Sequence, residues 1–177
     1  MSIVERLHII IKTCTLKLSR DGDQGRVQVL LAQGVNPNTQ NGKGETPLML
    51  SVWFDRKGVV EHLLGHPNID LEVRNQWGRT ALLYAAASGN PQVVHLLLAR
   101  GADTAVVDNS GYTMLMTAAW WGGEEAVVEL ALNQPNVDLE ARDNGGSTAL
   151  LVAAEEGHKQ VVLQLLDSCG LDNIVLL

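Results

Sequence analysis

The side chains with most chemistry to offer are five histidines, two cysteines, four tryptophans, two tyrosines and one phenylalanine. His8, His62, His66, His95 and His158 have no spacing that would gather them round zinc. No Ser-His-Asp or Cys-His arrangement emerges for nucleophilic catalysis. Gly42-Lys43-Gly44 lacks the strand–loop–helix setting of a phosphate loop. It reads as turn chemistry, as do Asn109-Ser110-Gly111 and Asp143-Asn144-Gly145-Gly146. No metal and no cofactor is implied. The aromatic residues are a different case. Trp53-Phe54 and Trp120-Trp121 are adjacent pairs, with Trp77 and Tyr112 between them. Rings of this kind supply large contact area at low entropy cost.

Those rings must be positioned by the stretch around them, and Asn75 to Val107 is its clearest unit. Thr80 follows a Gly-containing turn and is placed to cap a helix. Ala81 to Ser88 is rich in good helix formers. Gly89-Asn90-Pro91 stops that helix and starts a second. Val93, Val94, Leu96, Leu97 and Leu98 then recur at helical spacing, and Gly101 ends the run by tolerating positive φ. Two helices this short cannot bury their apolar faces alone, so copies must stack on them.

The copies are present. Thr46, Thr80, Thr113 and Thr148 are spaced 34, 33 and 35, and valine pairs end at Val60, Val94, Val128 and Val162, spaced 34 each time. Such a period marks a helical repeat array. On GETPLMLSV, GRTALLYAA, GYTMLMTAA and GSTALLVAA, followed by VVEHLL, VVHLLLARGAD, VVELAL and VVLQLL, the chain resembles the ankyrin-repeat family. Only Thr46-Pro47 keeps that family's Thr-Pro. The family's motif histidine is replaced by Met49, Leu83, Met116 and Leu151, so packing is expected to take over from its hydrogen bond. The HPNID and QPNVD turns are similar to those of fungal multi-ankyrin proteins. The resemblance implies an all-α solenoid of about five helix–turn–helix repeats in a single domain spanning 1–177. Residues 1–40 would be a diverged N-terminal capping repeat, 41–74, 75–107 and 108–142 central repeats, and 143–177 the C-terminal repeat and tail.

Composition agrees with a folded array. The 177 residues are 46% hydrophobic, enough for a continuous core. A net charge of −7 argues against nucleic acid as a partner. Cys14 and Cys169 lie at opposite ends, which argues against a disulfide and fits a reducing, intracellular compartment, cytoplasmic or nuclear. Neither a cleavable leader nor a membrane-spanning run is legible. Ile3, Leu7, Ile10, Ile11 and Cys14 make an amphipathic helical stripe that Asp21-Gly22-Asp23 ends. Two glycines after Trp120-Trp121 suggest a bulged turn. The apolar Leu171 to Leu177 either covers the last core face or leads into further sequence.

The family's usual contact positions fall on Trp53 and Phe54, Ala87 and Ser88, Trp120 and Trp121, and Glu155 and Glu156. In the hairpins they fall on Lys43, Glu45, Gln76, Trp77, Arg79, Ser110, Tyr112, Asn144, Gly145 and Ser147. All four Trp, the Phe and one Tyr are thus assigned to one face, and only Tyr84 lies elsewhere. Arg74, Arg79 and Arg142, flanked by Glu45, Glu155 and Glu156, would orient a peptide there. The expected function is a non-catalytic interaction module gripping a protein or peptide in an aromatic-lined groove. The expected binding residues are Trp53, Phe54, Trp77, Arg79, Ala87, Ser88, Tyr112, Trp120, Trp121 and Glu155. The key side chain is expected in a notch over Ala87 and Ser88, between the Trp53-Phe54 and Trp120-Trp121 walls. Two alternatives use the same rings. One is a methyl-lysine reader. The other is a binder or enzyme for a small apolar ligand, with Asp55, Glu155 or Glu156 as candidate acids.

Overall fold

A computed structural model describes residues 3–122 and 124–169, with side chains from residue 11 onward. The apolar C-terminal tail lies outside the described residues. Among those described there are ten helices and no strand. They are α1 (Ile3–Asp21), α2 (Gln24–Ala32), α3 (Pro47–Trp53), α4 (Lys57–Leu64), α5 (Ala81–Ser88), α6 (Pro91–Ala99), α7 (Met114–Trp120), α8 (Glu125–Leu132), α9 (Ala149–Glu155) and α10 (Lys159–Ser168). Each odd helix packs on its own even partner and on the next odd helix; the even helices likewise follow one another. The result is a two-layer solenoid.

Small residues explain how seven- and eight-residue helices pack so tightly. Ala85, Ala86, Ala118, Ala119 and Ala153 are fully buried in the odd layer. Val59-Val60, Val93-Val94 and Val127-Val128 fill the space between the layers. Met49, Leu83 and Met116 are buried where the family carries histidine, so packing does replace that hydrogen bond in three units. Leu151, in the last unit described, is exposed.

The threonines divide in a way the sequence did not foretell. The hydroxyls of Thr46, Thr113 and Thr148 accept from the backbone N–H of Met49, Met116 and Leu151. Thr80 makes no such bond, and its hydroxyl is buried without a partner. Its backbone is as extended as the others', at φ −90° and ψ 174°. The difference therefore lies in the side chain, which turns away from the helix it precedes.

Between the units, one Asx side chain heads each turn. Asn41 Oδ1 accepts from the N–H groups of Lys43 and Glu45, both at 2.9 Å. Asn75, Asp108 and Asp143 repeat the pattern with the residues two and four positions on. Each turn is then stitched to the next. Gln76 N–H donates to Lys43 O, Asn109 N–H to Trp77 O and Asn144 N–H to Ser110 O, at 2.9–3.0 Å. Gly78 makes one stitch possible. It sits at φ +76°, and a Cβ there would lie 2.9 Å from the Asn109 nitrogen, a contact real side chains do not make.

At the N-terminal end the apolar stripe ends earlier than the sequence suggests. Ile11 and Cys14 are exposed, and Thr15, Leu16 and Ser19 form the buried face instead. α1 has 19 residues and its neighbour α3 only seven, so only part of α1 can lie against α3. Arg56 Nε anchors the end of α1 by donating to Arg20 O at 2.9 Å.

Candidate functional site

The turns and odd helices line an open cleft of about 1240 Å³. Its floor comes from α3 and its C-cap, through Leu50, Trp53 and Phe54. Tyr84 and Ala87 of α5, with Trp121 at the end of α7, extend the floor. One wall is the pair of Asx-headed turns, contributing Lys43, Glu45, Trp77 and Arg79. The opposite wall is α1, through Lys12, Thr13, Leu16, Lys17 and Arg20.

The rings form a connected set. Trp53 meets the edge of Tyr84 at 5.7 Å between centroids and of Trp121 at 5.6 Å. Both geometries are the T-shaped arrangement that aromatic quadrupoles favour. Trp53, Phe54, Trp77, Trp120 and Trp121 are each 40–47% exposed, whereas large aromatic residues are on average highly buried. The notch expected between two walls is not there. Ala87 is buried, and because it and Ser88 are small, Trp53 and Trp121 reach across α5 and touch. Ser88 donates its hydroxyl to Ala85 O at 3.0 Å and does not line the cleft.

Tyr84 is the residue that sequence reasoning missed. Its phenol donates to Glu45 Oε1 at 2.9 Å and accepts from Asn75 Nδ2 at 3.0 Å. Burial, and then the Glu45 carboxylate, push its pKa well above the usual 10.0, with Asn75 and Arg79 opposing. One tyrosine thus ties two successive turns to the ring cluster. The signal was its place in the middle of an otherwise aliphatic helix.

Several expected contact residues serve the backbone instead. Arg74 donates to Val107 O, and Arg142 Nη1 donates to Gly146 O at 2.8 Å. Each guanidinium thus commits one of its donors to the backbone and keeps its charge. Arg79 lines the cleft but is held by Asp108 at 3.1 Å. Tyr112 and Trp120 form a separate edge-on pair at 5.7 Å. Burial raises the Tyr112 pKa, helped by Asp143, Asp108, Glu155 and Glu156, so this second pair sits in an acidic neighbourhood. The three candidate acids do not converge. Asp55 accepts from Asn90 Nδ2 at 2.7 Å, bridging the inter-helix turns of two successive repeats, and Asp55, Glu155 and Glu156 all lie outside the cleft lining. Glu45 is the one carboxylate in it among the described residues.

His158 does what its turn position implied, bonding Trp120 O through Nε2 at 3.1 Å. Its ring fills the space beside Gly122, which sits at φ +61°. The bulge expected at the two glycines includes Gly123, which lies outside the described residues.

Comparison with known proteins decides the family. The model of ankyrin repeats (3 copies) matches residues 15–108, 56–143 and 93–175. The chain belongs to the ankyrin-repeat family. Mouse Rabankyrin-5 is 33% identical over 118 residues, 66% of this chain and 10% of that protein. Human transient receptor potential cation channel subfamily A member 1 is 31% identical over 101 residues, 57% of this chain and 9% of the channel. A probable palmitoyltransferase of Saccharomyces uvarum is 33% identical over 105 residues, 56% of this chain and 14% of its own length. The ankyrin chain thus spans a small part of much longer and functionally diverse relatives. What they share is the repeat array, and ankyrin repeats are in general protein–protein interaction modules. No helix among the described residues is long and apolar enough to cross a membrane.

Proposed function

We propose that this ankyrin array is a non-catalytic interaction module that takes a segment of a partner protein in its aromatic cleft. The exposed ring cluster carries the reading. Trp53, Phe54, Trp77 and Trp121 converge on one cleft while aliphatic residues and alanine dominate the core. Exposed apolar surface gathered in this way marks an interaction site. The deciding experiment is a pull-down from native extract with the wild-type chain and with Trp53, Trp77, Trp120 and Trp121 all changed to Ala. Loss of the bound protein, with helical content retained by circular dichroism, supports the reading. Unchanged capture by the folded variant overturns it.

The other uses of these rings find less support. A methyl-lysine cage needs rings standing apart round a cation, whereas Trp53, Tyr84 and Trp121 are edge to edge and Lys12, Lys17 and Lys43 stand round them. A small apolar ligand would be enclosed on most sides, and this cleft exposes its rings to solvent. Catalysis by paired acids would need a second carboxylate beside Glu45.

A further inference from the structure

The charge of the cleft runs against the charge of the chain. The sequence has 13 Lys and Arg against 20 Asp and Glu, for a net −7. Yet Lys12, Lys17, Arg20, Lys43 and Arg79 all line this one cleft, with Glu45 as the sole acid among the described residues. That acid is already engaged, by the Tyr84 hydroxyl and by Asn41 Nδ2 at 2.7 Å. Arg79 is paired with Asp108 and Arg20 with Asp21, both at 3.1 Å. Among the described residues Lys12, Lys17 and Lys43 have no carboxylate partner. Lys43 stands 5.9 Å above the Trp77 ring. Lys12 and Lys17 on α1 and Lys43 on the first turn thus set three ammonium groups against the single Glu45 carboxylate beside an aromatic floor, among the described residues.

From this juxtaposition we infer that the occupant of the cleft is an acidic peptide segment with an aromatic or large aliphatic anchor. Its carboxylates lie between the lysines of α1 and Lys43, and its anchor rests on Trp53 and Trp77. The inference rests on the interaction-module reading and names the partner's chemistry. Complementary charge steers encounter and fixes register, and the ring floor supplies the apolar contact area. The far end of the same face adds direction. Tyr112, paired with Trp120, feels the field of Asp143, Asp108, Glu155 and Glu156; Asp108 is held by Arg79, so Asp143, Glu155 and Glu156 are left to repel an acidic stretch and confine it to the α1 end. A nucleic acid would offer phosphates too. It would also extend past three lysines into the field of a chain at −7, which a short acidic segment flanked by neutral residues avoids.

The test pans a random-peptide phage library against the intact chain and measures recovered peptides by fluorescence anisotropy. The expected peptides carry Asp or Glu beside Trp, Phe or Leu, and bind less tightly as salt is raised. The Lys12→Glu, Lys17→Glu, Lys43→Glu triple variant should bind them about tenfold or more weakly, with an unchanged melting temperature. Lysine-to-Gln variants should fall between. Recovered peptides that are neutral or basic but still need Trp53 overturn the acidic occupant and leave the aromatic cleft standing. Peptides indifferent to Trp53→Ala and Trp77→Ala overturn both readings. A single-stranded oligonucleotide binding more tightly than the acidic peptides, through the same lysines, overturns the peptide class.

Discussion

The two ends of the groove face carry the same kinds of ring in opposite settings. At the N-terminal end, Trp53, Tyr84 and Trp121 interlock beneath a wall of lysines on α1. At the C-terminal end, Tyr112 and Trp120 stand alone among carboxylates. The repeat accounts for the rings' backbone positions at both ends. The contrast comes from what lies alongside. α1 is a long first helix that supplies a second wall, and the described C-terminal units have no counterpart. The proposed site thus lies where the array's periodicity fails.

Gly78 and Gly146 occupy equivalent turn positions at φ +76° and +87°. A Cβ at Gly78 would strike the Asn109 backbone, whereas nothing among the described residues lies within 4 Å of one at Gly146. Gly78→Ala combines positive-φ strain with a lost stitch and should cost about 3 kcal/mol or more in urea unfolding. Gly146→Ala should cost only the backbone strain, about 1 kcal/mol. Equal losses would show that stacking of one turn on the next contributes little.

Trp53→Ala and Trp120→Ala compare the two ends in binding. Trp53 is central to the lysine-walled cleft, so its loss should weaken the captured partner by about 2 kcal/mol or more. Trp120 lies outside that lining, and its loss should change affinity by less than about 0.5 kcal/mol. Titration calorimetry with the identified partner reads both. The reverse order would move the site to the acidic end.

Much of this was legible beforehand. Thr46 to Thr148 and the valine pairs fixed the repeat, because caps and core positions depend on local sequence and periodic packing. The aromatic positions followed from that register. What stayed hidden depends on distant neighbours. Lys12, Leu16 and Arg20 share one helix face by spacing, but only the docking of α1 on α3 turns that face to the cleft. Trp53 and Trp121 close over Ala87 because the intervening side chains are small, a consequence of ring orientation that register does not contain. Arg74 and Arg142 looked free because a guanidinium's carbonyl partner leaves no trace in spacing.

The two tyrosines carry the contrast into pH. Both phenols titrate above their ordinary 10.0, Tyr84 farther than Tyr112. Below pH about 10 each is neutral whether folded or unfolded, so the stabilisation is fully present. Above it the unfolded chain ionises first, and stability is lost as pH rises, by up to about 1.4 kcal/mol per unit for Tyr84 and by less for the more exposed Tyr112. Denaturant unfolding at pH about 9 and about 11 should show a smaller alkaline loss in Tyr84→Phe than in wild type. Tyr112→Phe should give a smaller correction, since its pKa is raised less. The reverse ranking would mean that Glu45 and burial are not what hold the Tyr84 proton.

The smallest contrast lies between Thr46 and Thr80. Their backbones nearly coincide, at φ −90° and ψ 165° and 174°. Thr46→Val deletes a hydroxyl that accepts from Met49 N–H at 3.2 Å and should cost about 1 kcal/mol. Thr80→Val keeps the shape and deletes a buried hydroxyl that has no partner, so it should be neutral or stabilising by some tenths of a kcal/mol. Both residues are almost wholly buried, so the desolvation of a hydroxyl is common to them and the cap bond is what differs. If Thr80→Val proves as costly as Thr46→Val, the Thr80 hydroxyl has a partner in solution. The cap bond would then be a property of all four repeats.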